Sequence, residues 1–207
     1  LPKPLGPEFI GTMIETWQDD NREEWFTKDN NDDYRRIVVQ YWYPTDDQSE
    51  VYSPYMDEWK KRLKPVASQV EVNKAFIYPI KNVKTNSILN APIKKMKNKI
   101  PLVIFSHGLG GMRMQNTIQM ETLASEGYFV LAIDHSYDAN ITLFDDGTKA
   151  DFRSAADGEL SVEEFWDLRI PQINTRSDDV IFVLNQIESY IESGDIFWSN
   201  IDMSRIG

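Results

Sequence analysis

The 207-residue sequence contains no cysteine. That absence removes disulfides, thiolate metal sites and a cysteine nucleophile together, and it leaves the cellular compartment open. Long hydrophobic runs are missing too: no stretch of about 18 apolar residues occurs, nor a charged-then-apolar leader, so nothing reads as a membrane span or a signal peptide. The abrupt start at "LPKPLGP" looks instead like a stem trimmed from something upstream, and a removed leader would favour a secreted or membrane-anchored, extracytoplasmic protein. Basic residues are in the minority, 22 against 33 acidic, for a formal charge of -11. Such a surface repels a phosphate backbone, so nucleic acid is not an expected partner. The acids cluster in "DDNREE", "DNNDD", "DDQSE" and "DFRSAADGE", which read as solvated loops. "FDDGTK" lacks the alternating ligands of a calcium loop, so no metal site is expected there.

What is present fits one α/β domain. After a stem at 1–7, "EFIGTMIETWQ" (8–18) and "YRRIVVQYWYP" (34–44) are rich in β-branched and aromatic residues and read as neighbouring antiparallel strands joined by a polar, exposed link. "SPYMDEWKKRL" (53–63) opens on Ser-Pro and closes on basic residues, which predicts a short helix; the pattern from 64 to 98 is weak, so 8–98 is taken as first strands plus a variable insert. Residues 99–136 hold the clearest unit, "PLVIFSHG", a helical stretch ending at Gly127, then "YFVLAIDHS". Two continuously apolar strands flanking a helix indicate a parallel βαβ unit covered on both faces. In 137–170, "ITLFDDGTKADF" predicts a protruding hairpin and "SVEE" a capped short helix beginning at Ser161. In 171–207, Val180, Val183, Leu184, Ile187 and Ile191 share one face of a longer helix closed by Gly194, and "DMSRIG" reads as the entry to a further strand.

The glycine cluster in "FSHGLGG" has two candidate uses. A dinucleotide loop would use Asp134 on the ribose, but the third glycine of GxGxxG, counted from Gly108, falls on Arg113, so the motif fails where helix must pack on strand. An oxyanion loop needs glycines that let backbone N–H groups turn toward charge developing in a transition state, and the α/β-hydrolase version follows the third strand. Leu109 N–H is the candidate donor, with His107 and Gly108 shaping the loop.

"VQYWYP", "PLVIFSHGLGG" with Arg113, the acid-histidine pair "DH" at 134–135, and "LRIPQINTRSDDVIFVLNQI" together resemble the platelet-activating factor acetylhydrolase family, also called lipoprotein-associated phospholipase A2-like. The similarity runs in order from about Thr12 to Gly207 and is weakest at 50–95; the Arg, Gln, Arg, Asp series at 169, 172, 176 and 179 sets it apart from generic lipases. The resemblance implies an α/β-hydrolase fold (mostly parallel sheet, antiparallel first strands) and a calcium-independent serine esterase with no cofactor. It would remove short or oxidised sn-2 acyl chains from phospholipids through a Ser-His-Asp triad. A membrane or lipoprotein surface is a candidate partner beside the phospholipid or small-ester substrate, and attachment to it does not follow from the sequence. No GxSxG elbow occurs in these residues, so the expectation is a chain that stops before its nucleophile, is inactive alone, and associates with the missing C-terminal part or another chain. The other readings are a different carboxylester hydrolase, for small esters or polyesters, or a non-catalytic binding remnant.

The remaining polar residues read as structural. Asp134 and His135 are adjacent, so their side chains face opposite ways and do not form a dyad, although one of them could line the pocket rim. Ser106 faces away from His107 and is not expected to be a nucleophile. Arg169, Arg176 and Asp179 are expected in ion pairs, and Trp17, Trp42 and Trp166 either in the core or facing a membrane.

Overall fold

The computed structural model describes residues 1–27, 33–153 and 160–207. Most of the acidic stretches at 29–33 and 151–159 lies outside them. Strands β1 (Phe9–Glu23) and β2 (Tyr34–Thr45) pair antiparallel, with Thr12 opposite Trp42 and Trp17 opposite Ile37. Their connection is not merely solvated: Asp19 and Glu24 are buried, because each accepts a charge-assisted bond from an arginine, Arg22 and Arg35 respectively.

The insert departs from expectation. Ser53 and Pro54 lie in a short strand, β3 (Tyr52–Pro54), against β4 (Lys84–Leu89), and helix α1 runs from Trp59 to Gln69. The pairing wins over the Ser-Pro helix-start signal because it satisfies the local backbone: Thr85 Oγ1 donates to Ser53 O at 2.9 Å and Tyr55 N–H to Val83 O at 2.9 Å. A single-turn helix, α2 (Lys74–Ile77), follows.

Strand β5 (Ile100–Ser106), helix α3 (Thr117–Ser125) and strand β6 (Phe129–Asp134) form the expected parallel βαβ unit, and Gly127 closes α3 in the left-handed region at φ 92°. The hairpin of β7 (Ile141–Leu143) and β8 (Lys149–Asp151) is present but does not protrude: Ile141 through Phe144 are buried, and Phe144 packs on Val38 and Ala150. Ser161 caps the next helix reciprocally with Glu164, as predicted. The short and long helices expected there are one, α4 (Val162–Glu192), which passes through Pro171 by forgoing a single backbone hydrogen bond. Strand β9 (Ile201–Ile206) pairs parallel to β5. The sheet order is β3-β4-β1-β2-β6-β5-β9, with parallel pairing on the β6-β5-β9 side and between β1 and β4, and antiparallel pairing elsewhere.

Side-chain parity decides what each face of the sheet carries. Ile37, Val39 and Tyr41 of β2, Ile100 and Leu102 of β5, and Phe129, Leu131 and Ile133 of β6 pack with Trp17, Trp198 and the α4 residues Val183 and Ile187. Trp42, Val130 and Ala132 pack on the other side with Met120 and Ala124 of α3. Trp17 and Trp42 are therefore core, whereas Trp166 is half exposed. Among the described residues no helix is long and apolar enough to cross a membrane.

Candidate functional site

The loop after β5 is built by its glycines. Gly110 has φ 72°, a conformation costly to any residue with a Cβ, and a Cβ on Gly111 would stand 2.8 Å from Gly108 O. Gly110 N–H donates to Asp138 O and Gly111 N–H to Gly108 O, each at 2.8 Å. Leu109 N–H meets no protein acceptor among the described residues, and Leu109 is exposed. Gly108 N–H likewise meets no acceptor among the described residues, so these two donors stand outside the loop's own hydrogen bonds.

Parity along β6 separates its last acid from the histidine that follows. Asp134 lies on the α3 face, fully buried, and holds the far end of the loop: it accepts from Arg113 N–H and from Arg113 Nη1, both at 2.6 Å. Arg113 is buried as well, and its Nη2 reaches Asp57 Oδ2 at 2.9 Å, a Coulombic contact out of line for a hydrogen bond. Burial works against ionised Asp57, but Arg113 and Arg62 outweigh it and hold its pKa at about 2. Asp134 is therefore neither a ribose ligand nor a pocket-rim residue, and the arginine that breaks GxGxxG is its partner.

His135 emerges on the α4 face, one parity step beyond Ile133, which pairs with Ser106. Ser106 Oγ lies 2.8 Å from His135 Nε2, and His135 Nδ1 lies 2.8 Å from Asp179 Oδ2. Asp179 also accepts from Arg35 Nε (3.0 Å) and Nη2 (2.7 Å) and from Arg22 Nη2 (3.0 Å); burial works to raise its pKa, but Arg35 and His135 hold it far down. An ionised carboxylate only accepts, so His135 Nδ1 carries the proton and Nε2 accepts from the Ser106 hydroxyl. Burial keeps His135 neutral by lowering its pKa, with Asp179 opposing. Arg176 Nη2 donates to Ser106 Oγ at 2.9 Å and, closely, to His107 O. His107 is buried; burial lowers its pKa to about 4, its Nδ1–H donates to Gly108 O at 2.7 Å, and its Nε2 accepts from His135 N–H at 3.3 Å.

The structure thus places His107, Gly108 and Leu109 in one loop, as expected, and keeps Asp134 and His135 on opposite faces. Asp179 is in ion pairs with Arg35 and Arg22, whereas Arg176 bonds the serine and the loop carbonyl, and Arg169 Nη1 donates to Gln172 Oε1 at 2.6 Å. Sequence reasoning missed the Ser106–His135–Asp179 alignment, because it compared Ser106 only with its neighbour His107. The parity of two paired parallel strands was the available signal. Among the described residues no group of three His, Cys, Asp or Glu side chains is gathered to hold a metal ion.

Comparisons with known proteins fit this loop and its strands. The chain is 27% identical to a platelet-activating factor acetylhydrolase of Gallus gallus over 197 aligned residues, covering 80% of this chain and 46% of that protein. It is 32% identical over 87 residues to a probable 1-alkyl-2-acetylglycerophosphocholine esterase of Arthroderma benhamiae, covering 42% of this chain and 21% of that one. A ferulic acid esterase from Streptomyces cinnamoneus superposes with a TM-score of 0.74 at 26% identity, covering 99% of this chain and 52% of that structure, and the shared fold is the α/β-hydrolase fold. The chain spans about half the length of the chicken protein and of the solved esterase. The family described as platelet-activating factor acetylhydrolase, isoform II, matches residues 20–204, an interval that takes in β2, the loop at 107–111 and the whole of α4, and this chain belongs to that family.

Proposed function

We propose that this chain supplies the oxyanion loop of a serine esterase that hydrolyses short or oxidised sn-2 acyl esters of phospholipids. The observation that carries the reading is the N–H of Leu109, an exposed residue, which meets no protein acceptor among the described residues in a loop whose next two N–H groups are already bonded. A preformed donor of this kind stabilises the tetrahedral oxyanion without reorganising during reaction. Family membership and the esterase named among the similar structures support the reaction class. The serine attacks the ester carbonyl, the alcohol leaves, and water releases the acid from the acyl-enzyme. We assign that serine to a GxSxG elbow, which is not found in these 207 residues, and take its acid and base to lie outside them as well. Contact with a lipid surface, and association with the elbow-bearing segment or chain, belong to the same proposal.

The test uses the protein expressed from its complete gene, assayed on p-nitrophenyl esters of increasing chain length and on a 2-acetyl phosphocholine lipid. Turnover that stops on treatment with a serine-directed phosphonate is expected. Leu109→Pro, which deletes the N–H, should lower kcat about 10²- to 10³-fold, whereas Leu109→Ala should not. No ester turnover by the wild type would overturn the proposal. Turnover of small aromatic esters but not of the lipid would favour a second reading, a small-ester hydrolase, which the likeness to a ferulic acid esterase recommends.

A further inference from the structure

We propose that the α4 residues Arg169, Gln172, Arg176 and Asp179 are a clamp that positions the 107–111 loop, with Ser106 and His135 as its polar bridge rather than a nucleophile and its base. The spacing of three, four and three residues puts all four on one helical stripe, and from each of them a contact leads toward the loop. Arg169 bonds Gln172; Gln172 Nε2 donates to Asp138 Oδ1 at 2.7 Å; and Asp138 O receives Gly110 N–H. Arg176 holds His107 O directly and Ser106 Oγ at 2.9 Å, and Asp179 fixes the ring of His135, which bonds the same hydroxyl. The carbonyl of His107 and the N–H of Leu109 are separated by Gly108 alone. A Cβ there would meet nothing within 4 Å, so the residue is held by its hydrogen bonds rather than by packing at that position. Leu109 N–H shares a planar peptide unit with Gly108 C=O, which accepts from Gly111 N–H and His107 Nδ1–H, and the held His107 carbonyl fixes where that unit begins.

The distances of the Ser106–His135–Asp179 line are those of a nucleophilic triad, but its charges are not. A base must become imidazolium as it takes the serine proton. Here that cation would form in a buried position near Arg35 and Arg176, facing a carboxylate already bound by Arg35 and Arg22. The Ser106 oxygen is also engaged by Arg176 while its proton is directed to His135. The arrangement holds a geometry and does not release a nucleophile.

The catalytic consequence rests on the esterase reading, so the test has an arm that does not. In the protein from its complete gene, Ser106→Ala and Arg176→Gln should lower kcat for a short p-nitrophenyl ester about 10- to 100-fold with KM changed less than about twofold, as expected of a misplaced donor. Ser106→Thr and Arg176→Lys should recover part of that loss. Independently of activity, both disruptive variants should speed hydrogen exchange at Gly110 about tenfold while the amides of α3 stay unchanged. A phosphonate adduct on Ser106, or a loss in Ser106→Ala of about 10⁴-fold or more, would make Ser106 the nucleophile and overturn the clamp. Unchanged exchange at Gly110 overturns it as well. If the wild type hydrolyses no ester, the esterase reading fails and the exchange result alone decides the clamp.

Discussion

The two ends of the 107–113 loop are held by adjacent residues of one strand end through opposite chemistry. At the Arg113 end, Asp134 grips with full charge in a dry site, and Arg113, Asp134 and Arg62 are all buried. At the His107 end the grip passes through a hydroxyl, an imidazole and a half-exposed arginine, and Ser106 is open to solvent. A dry ion cluster is stiff and costly to break. A relay that ends in a solvent-open hydroxyl can be adjusted, and it is the end nearer the Leu109 N–H. The rigid anchor therefore sits away from the candidate donor and the adjustable one beside it.

Removing either carboxylate is the strongest way to break that contrast. Asp134→Ala and Asp179→Ala each leave buried arginine charge uncompensated and should each cost about 3–5 kcal/mol in a denaturant titration. The two should part in hydrogen exchange: Asp134→Ala is expected to lose protection at Arg113 N–H, and Asp179→Ala at Gly110 N–H. Equal loss at both amides in both variants would mean that the loop has one anchor, not two.

Much of this was legible in the sequence because it depends on local period and turn chemistry. The βαβ unit, the Gly127 and Gly194 helix ends, the Ser161 cap and the loop itself all follow from residues within a few positions of one another. The start of α1 was not legible, since β3 is fixed by pairing with a strand some 30 residues on, as in the Thr85–Ser53 bond, and such pairing overrides a Ser-Pro signal. Pro171 likewise suggests two helices, where the packing of one continuous α4 tolerates it. The relay was hidden for a topological reason: Ser106 and His135 are 29 residues apart and Asp179 a further 44, and only the parity of paired strands brings them to one face. Arg176 was read as an ion-pair former, and its bonds to a hydroxyl and a carbonyl depend on that same meeting of elements.

Acid separates the two ends by window. His107 is buried with its pKa lowered from 6.5 to about 4, so between those values the unfolded chain binds the proton that the folded chain refuses. Stability should therefore fall as pH drops from about 6.5 and level off for this group near 4, a loss of about 3 kcal/mol at most. Asp57, held at about 2 beside Arg113, stabilises the fold above its ordinary value near 3.8, and that contribution goes as pH falls through 2. Denaturant midpoints from pH 7 to pH 2 should show the histidine loss first, and His107→Gln should remove its share of that loss, leaving the share of His135, whose pKa burial also lowers. A curve that is level between 6.5 and 4 in the wild type would contradict the burial argument. A smaller effect is expected of Gly110→Ala, which forces a Cβ into φ 72° and within 2.7 Å of the flexible Gln69 Nε2. It should cost about 1–2 kcal/mol and raise exchange at Gly111.

The mildest test uses α4 itself, whose middle carries the clamp and whose start is capped far from the loop. At Ser161 the side-chain oxygen accepts from Glu164 N–H at 3.2 Å while Glu164 Oε2 accepts from Ser161 N–H at 2.9 Å, so each of the two side chains satisfies one helix-end group. Both groups are exposed, and water can replace either bond in part. Ser161→Ala should therefore cost about 1 kcal/mol, and Ser161→Asp, which keeps an acceptor, less than half of that. Because Pro171 already interrupts the backbone ladder between the cap and Gln172, fraying at the first turn should stop before the clamp. Exchange should rise at the amides of the first turn and stay unchanged at Gly110. If Gly110 exchange rises with it, the helix transmits disorder along its length, and the contrast between the loop's two ends reflects the stability of α4 as a whole.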